Sequence, residues 1–353
     1  MTLMNKERIE QSIERRLPAE WEAHGAVLLS WPHAGTDWAY MLEEVTGCFV
    51  KIAEAIVEDE LLIVVAPDVE LPKKHLSHLR QDRITYLSIP TDDTWARDFG
   101  AIVTYENGEA VINDFKFNGW GLKFRSCNDN LITRGMVDAG VLKGKYCNRL
   151  GFVLEGGSIE SDGQGLLLTT TECLMSPNRN GDKTKEDIEA YLSDAFGLRK
   201  MLWLDHGALE GDDTDSHTDT LARLAPNNTI LYVGTNNEDD SHYEGLKNMR
   251  EQLVGFTNAD GQPMNLIELP LPDPIYDEDG QRLPATYANY LVTPKSVLMP
   301  SYCQDRNDVL ASQILKIAFP DREIKMIDCR ALIKQHGSLH CVTMQLPNEA
   351  LAL

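Results

Sequence analysis

Short apolar runs and amphipathic helical stretches alternate from one end of the chain to the other. "GAVLLSW" (25–31) reads as a buried strand. Trp38, Met41, Leu42, Val45, Cys48, Phe49, Ile52 and Ile56 then recur at three and four residues, one face of a helix. "LLIVVAP" (61–67) is a core strand ended by proline, a shorter helix follows in the seventies, and "ITYLSIP" (84–90) is a strand. The cadence returns with "GLLLTT" (165–170), then a helix over 184–197 that Thr184 caps and Gly197 ends, then "KMLWL" (200–204). It continues with "TILYVG" (229–234), a helix near 243–254 and a strand near "MNLIEL" (264–269). The series closes with "SVLMPSY" (296–302), a helix in "DRNDVLASQILKIAFP" (305–320), "REIKMI" (322–327), a helical turn and "SLHCVTMQL" (338–346). No linker, low-complexity tract or charge block interrupts this order over 353 residues. The pattern predicts an α/β fold in one domain, 1–353, built from repeated strand–helix–strand units.

Composition narrows the function classes. Hydrophobic residues make up 42% and charged residues 25%, an ordinary soluble balance. No apolar run reaches the length of a membrane span, so no membrane partner is expected. The start, "MTLMNKERIEQSIERRLPAEWE", has no apolar core of a secretory leader, and a cytoplasmic location is expected. The formal net charge is −22 and no basic cluster stands out, which argues against nucleic acid. An acidic surface serves solubility, and it also suits a cationic ligand. The seven cysteines are odd in number and form no CxxC pair. That argues against a disulfide framework and against a structural zinc site, and leaves most of these thiols as core residues.

Four stretches could carry chemistry: "DDTWARDFG" (92–100), "LEGGSIE" (154–160), "EGDDTDSHTDTLARL" (210–224) and "SLHC" (338–341). Each alone is a weak signal. Acidic loops usually run over a solvated surface, and Glu-Gly-Gly usually makes a turn. Together they say more. His217 and Asp219 are two apart, so a strand there would turn both to one face. Cys341 falls in an expected strand. A thiolate nucleophile needs a cationic or acid–base neighbour, which His217 could be. One orienting polar group would suffice for a plain Cys–His hydrolase. Here Asp98, Glu155 and Asp219 are a surplus of acids, which suggests a cation held before attack. A guanidinium fits, since carboxylates match its planar fork and leave its central carbon open. Metal binding is the rival use of His and Asp, but zinc spacings and HExxH are absent.

"LPAEWEAHGAVLLSWPH", "DDTWARDFG", "FNGWG", "LEGGSIE", "LLTTTECLMSPNRN", "GDDTDSHTD" and "HCVT" occur in this order over nearly the whole chain. Together they resemble the agmatine deiminase and bacterial peptidylarginine deiminase family of guanidine-modifying enzymes. The resemblance implies the pentein fold, an α/β propeller of five ββαβ-type units about a pseudo-fivefold axis. It implies Cys341 as nucleophile, His217 as general acid/base, and Asp98 and Asp219 as the acids that bracket the guanidinium. It implies that Glu155 orients the histidine or the substrate, and that Trp95 and Trp120 line the substrate site. Arg97 is expected to brace its loop, since like charges repel. No metal or organic cofactor is implied.

Two stretches depart from the family pattern. "KQHGSLHC" stands where agmatine deiminases read G-G-G-N-I-H-C, and "FNGWGL" where they read F-N-A-W-G-G. These changes flank the catalytic residues and bear on the far end of the substrate. Agmatine, giving N-carbamoylputrescine and ammonia, is the expected substrate. Peptidylarginine is the alternative. An amidinotransferase or dihydrolase of the same fold, or a silent cationic-ligand binder, stands further off. A homo-oligomer is left open.

Overall fold

The computed structural model describes residues 14–22 and 25–353, so most of the charged start read above lies outside the described residues. Among the described residues the strands form five separate sheets of a mixed α/β fold. One sheet shows how each is made. Ala222–Ala225 pairs antiparallel with Thr229–Gly234, which then pairs parallel with Asn265–Pro270. A parallel pair needs a long crossover, and the helix Tyr243–Val254 supplies it. Ile159–Ser161, Leu166–Thr170 and Lys200–Leu204 repeat the order across the helix Lys185–Phe196. Leu291–Val292, Ser296–Ser301 and Glu323–Asp328 repeat it across Asp305–Ala318. Ile102–Glu106, Glu109–Lys116 and Lys145–Val153 do so across Ile132–Asp138, with Arg15–Arg16 added at the edge.

The fifth sheet draws on both ends of the chain. Thr343–Leu346 runs antiparallel to Ala26–Ser30, which pairs parallel with Leu61–Ala66 across the helix Leu42–Asp59. Ile84–Ser88 follows, parallel to Leu61–Ala66. The helix is amphipathic as expected: Val45, Phe49, Ile52 and Ile56 are wholly buried. Each such side chain contributes about 1.5–3 kcal/mol by leaving water. Trp38 and Met41 pack on the same core but precede the helix proper, at a short 3₁₀ turn, Ala39–Met41. One continuous core joins all five sheets, through residues such as Leu28, Ile112, Leu168, Leu231 and Leu298.

The expected strands and helices fall where the apolar pattern put them, with two corrections at the chemistry. Cys341 is not in a strand. It sits in a turn just before Thr343–Leu346, closed by the Thr343 amide donating to the His340 carbonyl at 3.0 Å. His217 and Asp219 are not in a strand either. His217 caps a single helical turn, Thr218–Leu221, that contains Asp219. No helix among the described residues is long and apolar enough to cross a membrane.

Thr184 and Asp187 form the reciprocal capping box at the start of Lys185–Phe196, and Gly197 ends the helix at φ 69°. Thr184→Ala should lower stability by about 1 kcal/mol in urea unfolding, while Thr184→Ser should leave the midpoint nearly unchanged.

Candidate active site

Five segments, each in a connection between two sheets, meet at one buried point. Behind Ile84–Ser88 the chain enters a single turn, Ala96–Phe99, that carries Asp98. The Arg97 amide donates to the Cys341 carbonyl at 3.1 Å, so this turn is tied directly to the cysteine loop. Asp98 is fixed from two sides. The Gly157 amide donates to its Oδ1 and the Trp120 indole to its Oδ2, both at 2.9 Å. Residue 157 has to be glycine. A Cβ there would lie 2.7 Å from His217 Nδ1, 2.9 Å from Asp98 Oδ1 and 3.0 Å from Asp219 Oδ2. The Glu-Gly-Gly motif thus brings bare backbone against three polar side chains.

Glu155, just before that glycine pair, is wholly buried against Arg179, whose Nε lies 2.9 Å from both carboxylate oxygens. Arg179 also reaches Asp215 and donates to the Thr214 carbonyl at 2.8 Å, which binds Glu155 to the loop ahead of His217. His217 lies between the acids, with Nδ1 3.6 Å from Asp98 Oδ1 and Nε2 4.0 Å from Glu155 Oε2. Neither ring nitrogen has a hydrogen-bond partner. Asp219 accepts from His340 through Oδ2 at 2.7 Å and leaves Oδ1 without a partner. Cys341 lies with its sulfur 3.9 Å from Asp219 Oδ2, and Asn289 Nδ2 donates to that sulfur at 3.2 Å.

Burial sets the charge states. It drives the His217 pKa down to about 3 against the attraction of Asp219, so the ring is neutral at neutral pH. Burial, then the charges of Asp219 and Glu155, hold the Asp98 carboxyl well above its ordinary range. Burial also pushes Glu155 up, against the pull of Arg179. Asp219 goes the other way: burial raises it, but the His340 hydrogen bond and charge bring it below the ordinary carboxylate value. The Cys341 thiol is pushed far up by burial and by the negative charge of Asp219 and Asp98. The site is short of positive charge on the side that faces the thiol.

A cavity of about 40 Å³ opens from Cys341 and Asp98 toward solvent. Trp95 and Trp120, 5% and 6% exposed, wall its inner end, and Asp37, Phe124, Asp213 and His336 stand at its outer end. Trp95 packs between Trp38 and Trp120, at ring-centre distances of 5.6 and 6.5 Å. Gly337 lies flat on it: a Cβ there would sit 2.1 Å from the indole. The glycine in "KQHGSLHC" therefore shapes the cavity wall.

The structure thus brings Asp98, Glu155, His217, Asp219 and Cys341 together, with Trp95 and Trp120 beside them. Arg97 lies under the cysteine loop, its Nε 3.5 Å from the His340 carbonyl, and does not line the cavity. Several site residues escaped the sequence reading. Glu20, Arg179 and His340 lay inside quoted motifs but had no signal of their own. Asn289, in "YANY", had none at all. Two triads, Glu155–Cys173–His217 and Glu20–Glu160–His340, have donor atoms within 4.8 Å of one another, as a metal would need. In both, arginine already faces the carboxylates: Arg179 binds Glu155, and Arg223 binds Glu20 and Glu160. A metal cation there would have to displace a buried guanidinium.

The family model described as Porphyromonas-type peptidyl-arginine deiminase matches residues 16–347. The chain belongs to that family. A relative from Marinomonas sp. (strain MWYL1), provisionally named an agmatine deiminase, is 31% identical and the match covers 95% of each chain. A Porphyromonas gingivalis structure provisionally named an arginine deiminase is 48% identical, with a TM-score of 0.90 over 96% of this chain and 100% of that one. A cysteine-to-serine variant of C. jejuni agmatine deiminase with substrate bound is 34% identical, with a TM-score of 0.89 over 99% and 100%. This family membership covers all five sheets and every residue of the site above.

The neutral state of His217 has a consequence for stability. Unfolded, it titrates near about 6.5; folded, near about 3. Its contribution is complete above about pH 6.5 and is lost as pH falls toward about 3, by up to about 1.4 kcal/mol per unit. The stability difference between wild type and His217→Gln, from urea midpoints, should therefore shrink steadily below about pH 6.5. A difference independent of pH would contradict a neutral buried ring.

Proposed function

We propose that this chain hydrolyses agmatine to N-carbamoylputrescine and ammonia through a covalent intermediate on Cys341. The observation that carries this is the match between the cavity's charge pattern and a molecule with two separated positive ends. Asp98 and Cys341 line its buried end, with Asp219 Oδ2 3.9 Å from the sulfur, and Asp37 and Asp213 stand at its mouth, with tryptophan between. A guanidinium at the inner end answers the paired carboxylates, and an ammonium at the outer end answers the exposed acids. The bound substrate of C. jejuni agmatine deiminase supports a small guanidine compound here.

Burial and mutual repulsion of the acids suppress the very ions that the reaction needs. A bound guanidinium supplies the missing positive charge, so that Asp98 releases its proton to solvent as the substrate enters, Asp98 and Asp219 are both ionised, and the Cys341 thiol passes its proton to His217. Asp219 offers its unpartnered Oδ1, and Asp98 is already aimed by Gly157 and Trp120. The sulfur adds to the guanidine carbon, and Asn289 steadies its charge. His217 carries the proton to the departing nitrogen, which leaves as ammonia. It then takes a proton from water, whose hydroxide adds to the S-alkylthiouronium, and the carbon–sulfur bond breaks to give the ureido product and free thiol. Glu155, held by Arg179, orients His217.

Peptidylarginine is the second reading, favoured by the description of the matching family and by the similarity to the P. gingivalis protein. The acidic mouth weighs against it, because it serves an ammonium and not a peptide main chain. We further propose that residues 1–353 act as one domain, and that the five sheets form a pseudo-fivefold propeller. The repeated antiparallel-then-parallel pairing supports that arrangement. Seven free thiols suit a reducing compartment, and we place the activity in the cytoplasm.

Ammonia release with agmatine, free arginine and benzoyl-arginine amide tests the proposal. Agmatine should be preferred over both by at least about a hundredfold in kcat/KM, since arginine's carboxylate meets an acidic mouth. Cys341→Ala should release none. Equal kcat/KM for benzoyl-arginine amide would replace agmatine with peptidylarginine.

A further inference from the structure

Beneath the cavity lies a second set of buried charges that the reaction steps above do not use. His340, beside the proposed nucleophile, is 1% exposed and sits between two carboxylates. Its Nδ1 is 2.7 Å from Asp219 Oδ2, and its Nε2 is 2.7 Å from Glu20 Oε2. A nitrogen and an oxygen at that distance need a proton between them, since two lone pairs would repel. Two such contacts need two protons across the Glu20–His340–Asp219 row.

The surroundings decide which groups hold them. Glu20 also accepts from Arg223 Nη2 at 2.8 Å and has Arg97 Nη2 at 3.9 Å. Arg223 further binds Glu160, and its Nη2 stands 3.1 Å from His340 Nε2, converging on the same Glu20 oxygen. Asp219 faces Cys341 and has Asp98 as an acidic neighbour. Burial opposes charge on Glu20, but Arg223 and then His340 bring its carboxyl well below the ordinary range. Both carboxyl groups are thus ionised, and the two protons sit on the ring. Charges then balance in the buried layer: Arg97, Arg223 and His340 against Glu20, Glu160 and Asp219.

We propose that His340 is a positioning residue, a fixed imidazolium clamped by Glu20 that keeps Asp219 ionised and turns its unpartnered Oδ1 toward the guanidinium. The two site histidines then have opposite roles. His217 is neutral, has no fixed partner and moves protons. His340 is charged, is held at both nitrogens and moves none. Glu20, on the segment 17–22 near the far end of the sequence, acts on the substrate only through this ring. The effect on substrate rests on the deiminase reading; the charge of His340 does not.

Nitrogen-15 spectra of the histidine-labelled protein test the charge directly, with the His340 signals identified by their loss in His340→Gln or their shift in Glu20→Gln. Both ring nitrogens should carry a proton at neutral pH, as the two 2.7 Å contacts to carboxylate oxygens require. A single protonated nitrogen at neutral pH would overturn the proposal. The kinetic arm uses Glu20→Gln, which keeps the shape and removes the charge. Its kcat/KM for agmatine should fall about tenfold, mostly through KM, and its pH profile should differ from that of wild type because the row has lost one charge. A wild-type pH profile in Glu20→Gln would overturn the proposal. If wild type releases ammonia from no guanidine compound, the deiminase reading fails and the spectra still decide the charge of His340.

Discussion

The antiparallel pairing of Thr343–Leu346 with Ala26–Ser30 holds the two ends of the sequence in one sheet, and the site depends on it. The cysteine loop leads straight into that strand. Its position is fixed again where the Arg97 amide meets the Cys341 carbonyl. A chain of 353 residues thereby sets position 341 against positions 98, 155, 217 and 219. None of these contacts is local, so each residue's reach is set by a sheet and not by sequence spacing. The turn form of the cysteine loop follows. A strand would send alternate side chains to opposite faces, while a turn can present His340 inward and Cys341 to the cavity.

The second constraint is electrostatic. Removing carboxylates from water is costly unless they are paired. Each buried acid here is answered differently. Glu155 has Arg179, Glu20 and Glu160 have Arg223, and Asp219 has His340. Asp98 has only an amide and an indole, neither of them charged. That leaves a deficit of positive charge where thiol, neutral imidazole and unpartnered Oδ1 converge. On the proposed reading a guanidinium fills it, and the same charge that binds the substrate would lower the barrier to forming the thiolate. Binding and activation are therefore one interaction. Burial and the charges of Asp219 and Asp98, which push the Cys341 thiol up, are what that positive charge would have to offset.

Much of the fold was legible because its strands are apolar runs and its helices have one apolar face. "LLIVVAP" and "TILYVG" could be little else than core strands. The sheet over Ile102–Glu106, Glu109–Lys116 and Lys145–Val153 was missed, although Asn107–Gly108 marks its hairpin. Both residues have positive φ, 52° and 85°, as a tight two-residue turn demands. The site residues Asp98, Glu155, His217, Asp219 and Cys341 were legible because chemistry needs those side chains in unusual company. Asn289 and Glu20 were not. An asparagine in "YANY" and a glutamate in "PAEWE" look like any surface polar residue until long-range packing buries them. The strand expected at His217 and Asp219 is a helical turn instead, and what the two side chains share is their approach to Gly157.

Reaction with a haloacetamidine, followed by peptide mapping, tests the claim that a bound cation activates a buried thiol. Cys127 and Cys303 are exposed, whereas Cys341 is buried, so accessibility alone favours the first two. The amidinium is expected to enter the carboxylate pair and alkylate Cys341 alone, with halide as leaving group and with protection by agmatine. The neutral iodoacetamide is expected to prefer Cys127 and Cys303. Haloacetamidine adducts on Cys127 and Cys303, with Cys341 unmodified, would contradict the coupling of cation binding to thiol activation.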